Sequence, residues 1–305
     1  MDAIVLVKEI IDTNVWIEID PITLQPDPKD VVFEANRSDL AAVGAAVNLT
    51  RARGSGSVTA LLLGPRRAEK TLRRCLDYGA DRAIHLLYEK IEDLESHQVA
   101  GILSQSIQRL DLPHDFIFAG HQGSDSGWAN GCIGIQVAAM MGLPYLSRVS
   151  GVAWETASNA PIATCMEDLA TRTTWKCRPP LALIMHPDTR PPEHPSLAVS
   201  LEALNTRVEQ VDLMALDLEP SRIKRRIRHL GTSRPRPRPR KVFTPDSALS
   251  AAERIRSIMG GGLKQKRSEF LEGSPKEVAA NIVDFLIEKK LLSLQDAEAE
   301  TKLKD

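Results

Sequence analysis

Short apolar runs alternate with longer amphipathic stretches through the first 120 residues. Residues 3–7 (AIVLV) are continuously apolar, the pattern of a strand buried on both faces. Residues 15–19 alternate more and predict an early hairpin. Asn36, Arg37, Ser38 and Asp39 precede an alanine-rich stretch that predicts a helix, because Asn and Ser satisfy the open N–H groups of a first turn. Residues 57–63 (SVTALLL) predict a second buried strand, stopped by Gly64 and Pro65. Residues 68–78 predict a helix with Leu72, Cys75 and Leu76 on one face and Gly79 as its C-cap. A strand at 83–87, a helix at 99–110 and a strand at 116–119 follow, the last ending at Gly120.

This alternation of strand and helix predicts an α/β fold with a mostly parallel, Rossmann-like sheet. In such sheets ligands sit beyond the carboxyl ends of the strands. Three loops leave those ends: after Val7, at Gly64–Pro65, and from Gly120. The third is the most informative. Gly120, Gly123, Gly127, Gly131 and Gly134 fall within fifteen residues, and a helix follows that ends at Gly142 and Pro144. Glycines let a backbone approach a ligand closely, and a helix start offers N–H groups to an anion. The pattern suits a phosphate cradle, although its spacing is neither that of a P-loop nor that of the dinucleotide fingerprint.

Beyond Pro144 the pattern turns to short β-type runs at 147–154, 161–165, 171–176 and 181–185, which predict an antiparallel extension of the sheet. The pattern divides the chain into a nucleotide-binding α/β domain (1–220), a basic Arg/Pro-rich linker (221–245), a C-terminal helical arm (246–292) and a flexible tail (293–305). The arm contains two amphipathic helices, 247–259 and 274–292. Their stripes include Ile255, Ile258, Ile282 and Phe285, which need a partner surface to bury them.

Composition narrows the function classes. The 305 residues are 43% hydrophobic and 26% charged, enough for a sizeable core. No apolar run reaches membrane-spanning length, and the N-terminus shows no signal-type or transit segment, so a cytoplasmic protein without membrane insertion is expected. The four cysteines lack CxxC spacing, and the seven histidines form no HxxxH or HExxH pattern, so neither a disulfide scaffold nor a metal centre is expected. No GxSxG or Cys–His nucleophile is recognisable. His121 and Asp125 lie in the glycine-rich loop, where Asp125 fits a turn or a ribose contact better than a general acid. The net charge of −1 hides a segregation. Residues 222–241 hold ten Lys/Arg and no acid, which leaves −11 on the rest of the chain. The Arg-Pro alternation in this run favours an extended strap on an acidic protein surface over a nucleic-acid arm, since no aromatics are interleaved.

Taken together, these segments resemble the beta subunit of electron transfer flavoprotein. The resemblance rests on IVLVKEIIDTNVWIEID at the start, on Asn36-Arg37-Ser38-Asp39 with Ala42 and Ala46, and on LLLGPRRAEKTLRRCLDYGADRAIHL at 61–86. It also rests on the loop from 119 to 144, and on KVFTP and LEGSPKEVAANIVDFLIEKKLL near the C-terminus, which are closest to the form that includes electron-bifurcating members. Departures include Ile11 where that form has proline, Trp128 inserted in the loop, and the Arg-Pro run.

The resemblance implies an electron carrier rather than an enzyme. It implies a heterodimer with an alpha subunit, FAD shared with that subunit, and AMP or a second FAD in this one. Electrons would pass between acyl-CoA-type dehydrogenases, as in fatty acid oxidation, and a quinone-linked or other acceptor oxidoreductase. Cofactor contacts implied are Leu6, Asn36, Arg37, Ser38, Asp39, Leu63, Gly123, Ser124, Asp125, Ser126, Gly127, Asn130, Gly131, Cys132, Ile133, Gly134 and Gln136, with no catalytic and no metal-binding residue. Two other readings stay open: a nucleotide-using transferase or hydrolase on the same kind of fold, and a nucleic-acid-binding protein that uses residues 222–241.

Overall fold

The first strand, β1 (Asp2–Val7), splits its side chains between two cores, as the sequence pattern predicts. Ala3, Val5 and Val7 enter one hydrophobic cluster, and Ile4 and Leu6 enter the other. The structure is a computed structural model that describes residues 1–24, 26–27, 29–123, 132–157, 159–168, 171–187, 189, 192, 194–227, 230–231, 245, 249–259 and 273–289. The chain divides into two compact units, Met1–Arg234 and Pro235–Asp305.

In the first unit, β2 (Glu9–Ile11) and β3 (Phe33–Ala35) form a two-stranded antiparallel ribbon, followed by α1 (Arg37–Arg53). Residues 15–19 are therefore not the hairpin strand that their alternation predicts. Only Ile19 bridges, to Pro26, while Trp16 and Ile22 stand exposed. A period-two pattern needs a core on one side to become a strand, and none lies beneath this excursion.

β4 (Ser57–Gly64), α2 (Glu69–Asp77), β5 (Arg82–Leu87), α3 (Ser96–Arg109), β6 (Phe116–Gly120) and α4 (Ile133–Met141) follow. Then come β7 (Tyr145–Glu155), β8 (Ala160–Met166), β9 (Arg172–Lys176), β10 (Leu181–Met185), α5 (Leu197–Asn205) and β11 (Glu209–Asp212). The nine-stranded sheet has the order β11-β5-β4-β1-β6-β10-β7-β8-β9. All pairs from β11 to β7 are parallel, and only β7–β8 and β8–β9 are antiparallel.

The run at 181–185 is thus no part of an antiparallel meander. It lies parallel between β6 and β7, and all five of its residues are buried. Its unbroken apolarity is the pattern of a strand covered on both faces. β11 adds a further parallel edge that its polar sequence, EQVD, does not announce.

One cluster packs α1 and α2 on one face of the sheet, through Ala42, Val43, Ala46, Leu72, Cys75 and Leu76. The other packs α3 and α4 on the opposite face, through Ile102, Leu103, Ile107, Val137 and Ala138. The chain starts on β1 and moves outward to β4 and β5, then returns to β6 on β1's other side. The strand order therefore reverses at β1, and its carboxyl end opens a crevice between the two helical layers.

The second unit contains α6 (Ala251–Met259) and α7 (Pro275–Glu288). Ser274 caps α7 in a reciprocal box with Glu277, and Pro275 occupies the first turn. Ile255, Ile258, Ile282 and Phe285 are all exposed in the single chain. The Arg-Pro run and the tail lie outside the described residues.

Candidate functional site

A cleft of about 570 Å³ opens at this reversal point, within the ~300–1,000 Å³ typical of small-molecule sites. Its floor is the ends of three parallel strands: Leu6 and Val7 of β1, Leu63 and Gly64 of β4, and Ala119 and Gly120 of β6. One side is the β2–β3 ribbon with Glu9, Ile11 and Phe33. The other is the approach to α3, with Ile91, Leu94, Glu95 and Val99. Ile133 and Gly134 bring the N-terminus of α4 to the same space.

Asp39 holds the floor together. It is buried in the first turn of α1, where its Oδ2 accepts the Lys8 N–H at 2.9 Å and its Oδ1 accepts the Gly120 N–H at 3.0 Å. One carboxylate therefore ties the chain leaving β1 to the end of β6. Burial pushes its carboxyl up to about 6, against the opposing pull of Asn36, the two backbone N–H groups and the Lys8 charge. Gly120 must be glycine here, because a Cβ would strike the Asp39 carboxylate and come within 2.7 Å of the Ser38 Cβ.

The neighbouring strand end has its own prop. His85 is fully buried in β5, with Nε2 3.2 Å from the Gly64 carbonyl oxygen. A carbonyl only accepts, so Nε2 carries the proton. Burial lowers the imidazole's affinity for a second one, and His85 stays neutral.

On the ribbon side, Arg67 donates to Glu9 Oε2 at 2.9 Å and lies 4.0 Å over the Phe33 ring. Burial raises the Glu9 carboxyl, and the Arg67 charge partly offsets it. Lining cations are Lys8 and Arg67, against the acids Glu9, Asp39, Glu92 and Glu95. Fixed side-chain charge therefore does not favour an anion. Asp39 takes the strand-end N–H groups of Lys8 and Gly120, so attraction for a phosphate would come from the start of α4 at Ile133 and Gly134.

Of the residues singled out from sequence, Leu6, Asn36, Asp39, Leu63, Gly123, Ile133 and Gly134 line this single cleft. Ser38 is buried beneath Gly120, and Arg37 is exposed. Cys132 and Gln136 face each other across the first turn of α4, with Gln136 Nε2 3.1 Å from the Cys132 Sγ. Ser124, Asp125, Ser126, Gly127, Asn130 and Gly131 lie outside the described residues. Sequence reading missed Glu9, Phe33 and Arg67, along with the α3 wall and Ile227. The α3 wall was within reach, since the loop after β5 also leaves a strand's carboxyl end. Ile227 carries no sequence signal that ties it to the site. Among the described residues, no group of three or more His, Cys, Asp or Glu could hold a metal ion, and no helix is long and apolar enough to cross a membrane.

The family model of the electron transfer flavoprotein domain matches residues 27–216. The chain is 29% identical over 219 residues to electron transfer flavoprotein subunit beta of Thermoanaerobacterium thermosaccharolyticum, covering 72% of this chain and 80% of that protein. It is 23% identical over 291 residues to the protein of the same name from Methylophilus methylotrophus, covering 95% and 99%. It is also 32% identical over 155 residues to Protein FixA of Bradyrhizobium diazoefficiens, covering 50% and 52%.

Proposed function

The chain belongs to the electron transfer flavoprotein family as a beta subunit, and on that premise we propose that its cleft binds an adenine nucleotide, either AMP or a second FAD. The observation that carries this reading is the cleft's position. It sits where the strand order reverses, and it gathers three strand ends, Gly123 and a helix N-terminus. The residues present suit such a group. Ile91, Leu94 and Val99 offer an apolar wall for a base, while Gly64, Gly120 and Gly123, lacking side chains, leave room for a ribose phosphate close to the backbone.

A bound flavin supplies the redox chemistry, and the protein contributes position and electrostatics. This chain's residues fix the strand ends through Asp39 and His85 and cover the base-side wall. No acid–base residue is required of them, which agrees with an electron carrier rather than an enzyme. We further propose that the subunit pairs with an alpha subunit and shares FAD with it. The pair would carry electrons between acyl-CoA-type dehydrogenases and a quinone-linked or other acceptor, in the cytoplasm. The exposed apolar side chains of α6 and α7 support a partner, since such surface is costly to leave in water.

The test is co-expression with the alpha subunit, followed by an absorption spectrum and extraction of bound nucleotides. One AMP or one additional FAD per beta subunit supports the reading. A pure complex with flavin in the alpha subunit alone and no second nucleotide overturns it.

A further inference from the structure

We propose that residues 220–227 form a strap latched along α3 that sets Ile227 into the rim of the cleft, and that release of this strap gates nucleotide exchange. The inference rests on the cleft being the nucleotide site, and adds to that reading how a nucleotide enters and leaves.

The latch begins with an unusual cap. Glu95 stands at the N-cap of α3, where Ser, Thr, Asp or Asn is the usual choice. It forms a reciprocal capping box with Gln98, yet its side chain reaches beyond the helix. Its Oε2 accepts the Arg226 N–H at 2.9 Å, its Oε1 accepts the Ile227 N–H at 3.0 Å, and the Arg225 Nε lies 3.4 Å away. The Glu95 side chain is only 9% exposed beneath this clasp.

Gln98 stitches the other end of the strap. Its Oε1 accepts the Glu95 N–H, while its Nε2 donates to the carbonyls of Pro220 and Ile223. Arg225 also donates to the Asp93 carbonyl at 3.0 Å. Ile223 lies close over Gly101, where a Cβ would come within 3.2 Å of it. The outcome is that Ile227 is laid into the cleft lining beside the α3 wall.

Glu95 and Gln98 thus anchor the strap to α3 by side-chain bonds, beside the Asp93 carbonyl, the Ile223 contact and the local turn bonds of residues 219–223. No ladder of strand hydrogen bonds supports residues 223–227. Segments held in this way open locally at far lower cost than the sheet unfolds. The acceptor is a carboxylate that takes two N–H bonds and a cation together, so the bonds are charge-assisted and release as a unit. A covering that opens as a unit limits entry and exit alike, whereas a fixed wall residue alters mainly the rate of leaving.

The experiment is stopped-flow binding and chase of a fluorescent ribose-labelled AMP on the full chain. Wild type is compared with Arg226→Pro, which deletes one donor and leaves the α3 cap intact, and with the double variant Arg225→Ala/Arg226→Pro, which removes the ion pair to Glu95 as well. Hydrogen exchange at the amide of Ile227, which both variants keep, is followed in parallel. Both variants are expected to raise association and dissociation rates together, by tenfold or more, with the equilibrium constant changed less than threefold. Amide exchange should speed up by a similar factor. Unchanged rates, or a faster dissociation alone, overturn the gate while leaving the nucleotide site standing. If wild type binds neither the probe nor unlabelled AMP nor FAD, the nucleotide reading itself fails, and the gate with it.

Discussion

Replacing Asp39 by asparagine isolates the group on which the floor of the cleft depends. Asp39 is buried, with a carboxyl at about 6 against an ordinary value of 3.8. The folded chain therefore holds this proton more tightly than the unfolded chain does. The stabilisation this provides is complete below about pH 4 and is lost as the pH rises through about 6. The gap corresponds to about 3 kcal/mol. An amide does not titrate, and it matches the protonated carboxyl in shape. Asp39→Asn should thus equal wild type within about 1 kcal/mol at low pH, then gain on it by about 3 kcal/mol towards pH 7.5. The gain has a structural cost. An amide offers one acceptor where the ionised carboxylate offers two, so either the Lys8 or the Gly120 N–H loses its partner and the strand ends loosen. Urea unfolding of both chains at pH 4.5, 6 and 7.5 measures the difference directly. Parallel stability profiles, separated by a constant within about 0.5 kcal/mol, would refute the reasoning.

Three further outcomes are expected. Gly134→Ala should destabilise the chain by about 1–3 kcal/mol in thermal or urea unfolding, because a Cβ there would come within 2.6 Å of Ala119 and 2.7 Å of Ile184. Arg67→Met strips the ion-pair partner from half-buried Glu9, so the Glu9 carboxyl should titrate still higher, as followed by carboxyl carbon NMR, with a stability loss of about 1–2 kcal/mol at pH 7. Replacing Arg234, Arg236, Arg238 and Arg240 together by serine should weaken association with the alpha subunit at low salt and leave nucleotide content intact, each exposed pair contributing about 0–1 kcal/mol. Ultracentrifugation across a salt series checks it, and normal association at low salt would reject the docking role of that segment.

Where a residue's surroundings are set by its own neighbours in sequence, the chain was readable. The runs AIVLV and SVTALLL became central strands because nothing but burial on both faces accommodates them. Asn36 and Asp39 of the capping turn, and Gly120, Gly123 and Gly134 from the two ends of the glycine-rich segment, line one cleft. What escaped was set by distant partners. LALIM reads equally as a meander strand or a parallel one, and only its insertion between β6 and β7 decides. Residues 15–19 have the alternation of a strand but no layer beneath them. Ile227 enters the lining because Glu95, 132 positions earlier, accepts its N–H. Asp39 was singled out as a ligand contact, yet the pair of N–H groups it accepts also makes it a tie between two strands.

The proposed seat of the adenine nucleotide is the cleft at the carboxyl ends of β1, β4 and β6. Hydrogen exchange on the nucleotide-depleted full chain, with and without saturating AMP, tests it at the level of single segments. Slowed exchange is expected in peptides spanning 8–11, 64–68 and 120–123, with the edge strand at 172–176 unchanged. Slowing confined to other segments, or none at all at saturating AMP, would contradict it.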